Sequence, residues 1–275
     1  MMTKGRPFLE VFAAALKENY RFPILEIFAF LYAFGTFVFA GLGAIVAQTS
    51  EIFAYGLVNS LTGIPLFIFV ILILVNVAYG LGNDIEKGII QTLLSYPLKR
   101  RSILTAKLLS AIGMALVLFL GIQLLALFVL APDIIREYFY TVLLTYLANL
   151  SSALLITGFV LLIALVLKRG GLALVIGIVL YFALGIIGSM ATFLSSTGSD
   201  IPLKVYAVIS PSVALGRYYA RYYYYAGAGS ISPFTPTEIW VPSFSEVLLY
   251  IGAAYSLVAF VFLIGYVYFD RRLGT

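Results

Sequence analysis

The sequence predicts an all-α integral membrane protein with six transmembrane helices. An interfacial helix precedes the first span, and an amphipathic cytoplasmic helix lies between the second and third. Three observations predict this fold. Hydrophobic residues fill 63% of the 275 positions and charged residues 11%, with a mean hydropathy of +1.07, whereas a soluble domain carries about 25% charged residues. Six stretches, 23–47, 57–81, 104–130, 141–167, 171–194 and 246–268, are each long enough to cross a bilayer, which takes about 20 mostly apolar residues. Of the 17 basic residues, 13 fall on one set of connections and termini, leaving Arg136, Lys204, Arg217 and Arg221 on the other. By the positive-inside rule the richer side is cytoplasmic and carries both termini.

Residues 1–22 open with a helix over 7–20. Pro7 suits a first helical position. Phe8, Leu9, Phe12, Ala15 and Leu16 recur at helical spacing, with Glu10, Lys17 and Glu18 elsewhere on the wheel. This is the pattern of a helix lying in the membrane interface, and Pro23 then permits a sharp turn into the bilayer. Some twenty mixed polar residues precede an apolar stretch too long for a signal segment, so that stretch reads as a retained span. It carries the aromatics Phe28, Tyr32 and Phe39. Glu26, near its cytoplasmic end, is the acidic candidate for an ion-coupling residue, since Glu246 stands at the very edge of the last span. The expected role of Glu26 is structural, pairing with Arg21 or a basic loop residue. Asn76, Gln123 and Asn149 are uncharged and tie helices together.

The segment 82–103 breaks the apolar monotony. Asn83 followed by Glu86 forms a capping-box pattern, so a helix is expected to start near Asp84. Ile85, Ile89, Leu93 and Tyr96 make one apolar stripe, Pro97 stops the helix, and Lys99, Arg100 and Arg101 mark the membrane surface. In the fifth span Gly171, Gly177, Gly185 and Gly188 allow close helix approach, either for tight packing or for a subunit interface. The outer connection, 195–245, contains the run Arg217-Tyr-Tyr-Ala-Arg-Tyr-Tyr-Tyr-Tyr225. Tyrosines favour the headgroup zone, so this run reads as an aromatic belt on one or two short interfacial helices, with a gate or external contact as the alternative.

Cysteine and histidine are both absent, which excludes disulfides, thiolate chemistry, His-based metal sites and Ser-His hydrolases. No phosphate-cradling G-x-x-x-x-G-K-[ST] occurs, so any ATP that drives this chain is hydrolysed elsewhere. No catalytic or metal-ligating residue is expected.

The central loop resembles that of permease subunits of the ABC-2 transporter family. An acidic residue, a glycine two positions on, a leucine pair, a proline, an arginine and a lysine correspond to Glu86, Gly88, Leu93, Leu94, Pro97, Arg100 and Lys107. Lys99 and Ala106 depart from the family pattern, which often has Ser or Thr and Gly there. The likeness extends loosely over the six spans, Ser210-Pro211 and the basic tail from Phe269 to Arg272.

The resemblance implies that 1–275 is one transmembrane permease domain of an exporter in the plasma membrane. It also implies a homodimer or related heterodimer bound to two copies of an ABC ATP-binding subunit, with ATP and Mg on that partner. The coupling contact would be made by Ile85, Glu86, Gly88, Ile89, Leu93, Leu94, Pro97, Arg100 and Lys107. A path for a hydrophobic or amphipathic cargo is assigned to Phe28, Tyr32, Phe39, Asn76, Gly177 and Gly185, among membrane lipids and with no nucleic acid, with plain lipid-facing or core packing as the alternative for the aromatics. The alternatives are an ion-coupled secondary transporter, which would need Glu26 to titrate, and a non-transporting membrane scaffold.

Overall fold

Long apolar runs leave the backbone no partner but itself, and helices satisfy every N–H and C=O within the segment. The computed structural model describes residues 7–20, 24–45, 50–94, 99–225 and 240–272. These residues form α1 (Pro7–Asn19), α2 (Ile24–Ile45) and α3 (Glu51–Val77), which continues through a π-helical turn (Ala78–Gly82) into α4 (Asn83–Glu86). There follow α5 (Ile89–Leu94), α6 (Arg100–Leu130), α7 (Pro132–Glu137), α8 (Phe139–Leu167) and α9 (Gly170–Ser196). The chain ends with α10 (Ile201–Ile209), α11 (Ser212–Tyr225) and α12 (Phe244–Arg272).

Among the described residues five helical stretches are long and apolar enough to cross a membrane: Leu66–Glu86, Arg100–Leu130, Phe139–Leu167, Gly170–Ser195 and Phe244–Arg271. The region of the expected first span forms the 22-residue α2, described as apolar over Leu25–Gly41.

The stretch ending α3 and α8 lie at the centre, 65% and 61% buried, while α9 is the outermost at 17%. Tyr32 and Phe69 close on Phe119 at 5.4 and 4.4 Å between ring centroids, locking α2 and α3 onto α6. Two of the α9 glycines pack inside the chain rather than offering a subunit interface. A Cβ at Gly177 would stand 2.4 Å from Val160, and one at Gly188 would stand 2.6 Å from the Tyr206 ring. Gly171 and Gly185 have open space beside them.

Ion pairs and hydrogen bonds gather α1, α4, the start of α6 and the end of α12 at one end of the bundle. The start of α9 joins them, since Gly170 meets the backbone of Ala78 and Asn83. At the opposite end the Tyr219 hydroxyl of α11 shares its one O–H between Glu51 of α3 and Thr141 of α8, at 3.2 and 3.0 Å. Tyr218 and Tyr219 are therefore buried in a second core with Leu215, Val247 and Ile251, and are not part of an interfacial belt. Gly216 makes this possible, because a Cβ there would lie 2.9 Å from the Tyr55 hydroxyl. The side chains of 221–225 lie outside the described residues.

Candidate functional site: an ion-paired junction beside the central loop

The capping box expected at Asn83 does not form. Gly82 and Asn83 both have right-handed helical backbone, and no side-chain cap bond is made at Gly82. Helix runs unbroken from Glu51 through Glu86, so Asn83 meets no bare helix start to cap. The break comes at Lys87 and Gly88, where Lys87 N–H donates to Asn83 O at 2.9 Å and Gly88 N–H to Ile85 O at 3.2 Å. Gly88 has φ +73°, a conformation that glycine adopts without steric cost and that commonly closes a helix. The chain then re-enters helix as α5.

The π turn has a consequence of its own. Widening the helix frees backbone groups from the regular ladder, and Gly80 O accepts from Lys107 Nζ at 3.4 Å. The same ammonium donates to Glu18 Oε2 at 3.0 Å and to Asp84. Its three N–H donors thus have three acceptors, contributed by α1, the π turn and α4. Lys107 is 8% exposed and Asp84 2%, while the Glu18 side chain is 42% exposed. One turn along α6, Ser110 accepts from Asn19 Nδ2 at 2.7 Å, so α1 grips α6 through adjacent residues. Below this, Arg101 reaches Asp270 at 2.7 Å and Arg100 reaches the Asp270 carbonyl at 3.4 Å, fastening α6 to the end of α12.

The expected coupling residues fall into two groups. Ile85 packs against the core, Glu86 is exposed and Ile89 is 43% exposed. Ile90, not singled out from the sequence, is buried at 2% and roots α5. Leu93 and Leu94 lie in α5 with side chains outside the described residues, as do Tyr96 and Pro97 altogether. Arg100 and Lys107 are engaged inside the chain, so Lys107 presents no free charge to a partner. It belongs to the joint behind the loop.

The six residues assigned to a cargo path are not brought together. Tyr32 is buried at 1%, whereas Phe39 on the same helix is 36% exposed, and Phe28 is half-buried. Asn76 lies beside the ion junction, and Gly177 is closed off by Val160 and Leu74. Gly185 alone opens into a cleft, of about 550 Å³, between α8, α9 and α10, with Asn149, Ser152, Tyr206 and Ser210 among its lining. Among the described residues that lining carries hydroxyl and amide groups and no carboxylate, ammonium or guanidinium. Glu26 accepts a hydrogen bond from the Tyr20 hydroxyl. This bond and the carboxylate charge raise the tyrosine's pKa. Arg21, its expected partner, lies outside the described residues. Among the described residues no group of His, Cys, Asp and Glu could hold a metal ion.

The junction was hidden because its members read as other things. Lys107 reads as a cytoplasmic basic residue and, by the resemblance, as a coupling contact, Asp84 as the start of a capped helix and Glu18 as the polar face of an interfacial helix. The usable signal was a lysine and an aspartate each set at the edge of a long apolar run, where burial demands a partner. No family model matches the sequence, and a search of curated proteins finds no match.

Proposed function

We propose that this chain is the membrane-spanning subunit of an ATP-driven exporter of the ABC-2 type, with α2 as a sixth span and ATP hydrolysis supplied by a separate subunit. The observation that carries the reading is the arrangement at the loop. The six-residue helix α5 hangs from a glycine hinge, and directly behind it Asp84 and Lys107 tie α4 to α6 and α1. A push on α5 passes through the Gly88 turn to Asp84, then through Lys107 to three further elements. This is the linkage that a membrane subunit needs if an ATPase is to move its spans.

The basic ends of α6 and α12 and Lys107 collect beside this loop, which supports cytoplasmic termini; a plasma-membrane location follows from the resemblance to ABC-2 permeases alone. The outermost helix, α9, exposes Val175, Val179, Phe182, Ile186, Met190 and Phe193 in a helical stripe. That stripe supplies an apolar face for lipid or for a second permease copy. The uncharged lining of the α8–α9–α10 cleft favours an uncharged or amphipathic cargo over an ion.

The test is co-purification of the ATP-binding subunit with the Leu93→Asp variant. A carboxylate on the contact face of α5 would be buried without a partner, which typically costs several kcal/mol, and interface hot spots lose about 2 kcal/mol or more on truncation. The expected result is loss of the ATPase from a permease that still inserts and folds. Binding and transport at wild-type level would overturn the assignment of α5. Transport that persists with no ATPase present would favour the ion-coupled alternative.

A further inference from the structure

Asn76 stands on the last turns of α3 at 3% exposure, and its Nδ2 has no hydrogen-bond partner among the described residues. A side-chain amide carries two N–H donors, and buried polar groups in folded proteins nearly always have a partner. Asn76 lines a cavity of about 10 Å³ shared with Glu18, Asn19, Gly80 and Lys107. That is the room of about one water molecule. Its apolar walls come from Ala15, Val77, Leu81, Leu108 and Ala111.

We propose that this cavity is a binding site for a single water molecule, which joins Asn76 of α3 to the Glu18–Lys107–Asp84 junction. The chemistry of the walls selects water over other occupants. A buried water needs two to four polar partners, and here it accepts from Asn76 and donates toward Glu18 and the Gly80 carbonyl. A methyl or larger apolar group would leave the amide donors unmatched. A metal cation would face the Asn76 N–H donors and the Lys107 ammonium.

The water gives the junction a partner that can change sides. When α4 draws Asp84 away from Lys107, the water can take the vacated place on the ammonium, so its three donors stay matched as the joint opens. It also makes α3 a fourth member of a junction whose direct bonds, among the described residues, involve α1, the π turn with α4, and α6.

Synchrotron X-ray footprinting tests this, because hydroxyl radicals formed from a bound water oxidise buried side chains next to it. The intact chain, purified in lipid nanodiscs, is irradiated, and oxidation is mapped by mass spectrometry. Leu81 and Leu108, 2% and 5% exposed, line the cavity, whereas Leu74 and Leu104 are fully buried and lie outside it. The expected result is oxidation of Leu81 and Leu108 at least tenfold above Leu74 and Leu104. Asn76→Leu fills the cavity and should remove that excess, while Asn76→Ser keeps room and a donor and should retain it.

Oxidation of Leu81 and Leu108 no greater than that of Leu74 and Leu104 in the unmodified protein would overturn the proposal, whether or not either variant folds. So would an excess that survives in folded Asn76→Leu. Repeating the exposure with choline in place of sodium should change nothing; a rise in the Leu81 and Leu108 oxidation there would show that a cation competes for the cavity and would overturn a site for water alone.

Discussion

Replacing Lys107 by Met removes the ammonium from the junction and keeps the length of the side chain. Asp84, 2% exposed, is then left as a buried carboxylate with its principal counter-charge gone. Breaking a buried pair by deleting one partner costs about 3–5 kcal/mol. Glu18 adds little to this, because its side chain is 42% exposed and its half of the interaction falls in the range of about 0–1 kcal/mol for exposed pairs. The loss is therefore expected to come almost wholly from stranding Asp84. Asp84→Leu should cost less on its own, since Lys107 keeps Glu18 and the Gly80 carbonyl. The double variant removes both charges, and apolar replacements of buried pairs are often neutral or stabilising. It should be more stable than Lys107→Met by about 2–3 kcal/mol. Trp240, the only tryptophan, packs against Tyr250 at 5.7 Å between ring centroids, so its fluorescence can follow unfolding in mixed micelles for all four proteins. Single losses that add within about 0.5 kcal/mol, the behaviour of independent sites, would refute a coupled pair.

Three further outcomes follow from individual contacts. Gly170→Val should destabilise by about 1–3 kcal/mol through overpacking, because a Cβ there would stand 2.6 Å from the Ala78 carbonyl oxygen and 2.9 Å from the Asn83 nitrogen; a variant as stable as wild type by the same fluorescence assay would contradict that backbone contact. Tyr219→Phe should cost about 0.5–1.5 kcal/mol, as it deletes the donor to Glu51 and Thr141. Burial raises the Tyr219 pKa above that of an ordinary tyrosine, so the hydroxyl stays protonated and this loss should be flat from pH 6 to pH 9; a loss that disappears within that window would count against it. Tyr32→Phe should be neutral or slightly stabilising, because the buried Tyr32 hydroxyl lies near Thr36 and Gln123 but makes no hydrogen bond of good geometry among the described residues, and removing a poorly matched polar group recovers its desolvation cost; destabilisation beyond about 1 kcal/mol would show that Thr36 or Gln123 engages it.

The helices were legible where burial in lipid leaves one solution and charges mark the edges. The expected spans 141–167 and 171–194 correspond to Phe139–Leu167 and Gly170–Ser196, because Arg136, Lys168 and Arg169 bound the apolar runs on either side. What misled was local grammar read without its neighbours. Asn83 and Glu86 have the spacing of a helix start, yet the π turn carries α3 through them. The tight approach of Gly82 and Gly170, with a virtual Cβ on Gly82 only 2.7 Å from the Gly170 Cα, fixes that turn against α9 from outside the segment. Tyrosine-rich sequence likewise said headgroup zone, but Gly216 and the acceptors Glu51 and Thr141 draw Tyr219 inward. The junction fails the same test. Asp84 and Lys107 are 23 positions apart and Lys107 and Glu18 are 89 apart, and no periodicity reports a contact of that range. Burial turns three unremarkable charges into one unit, since a buried ammonium needs its acceptors on every side. The elements that supply them are the ones that flank the loop, so the feature hardest to read from the sequence is the one that connects the most legible motif to the rest of the bundle.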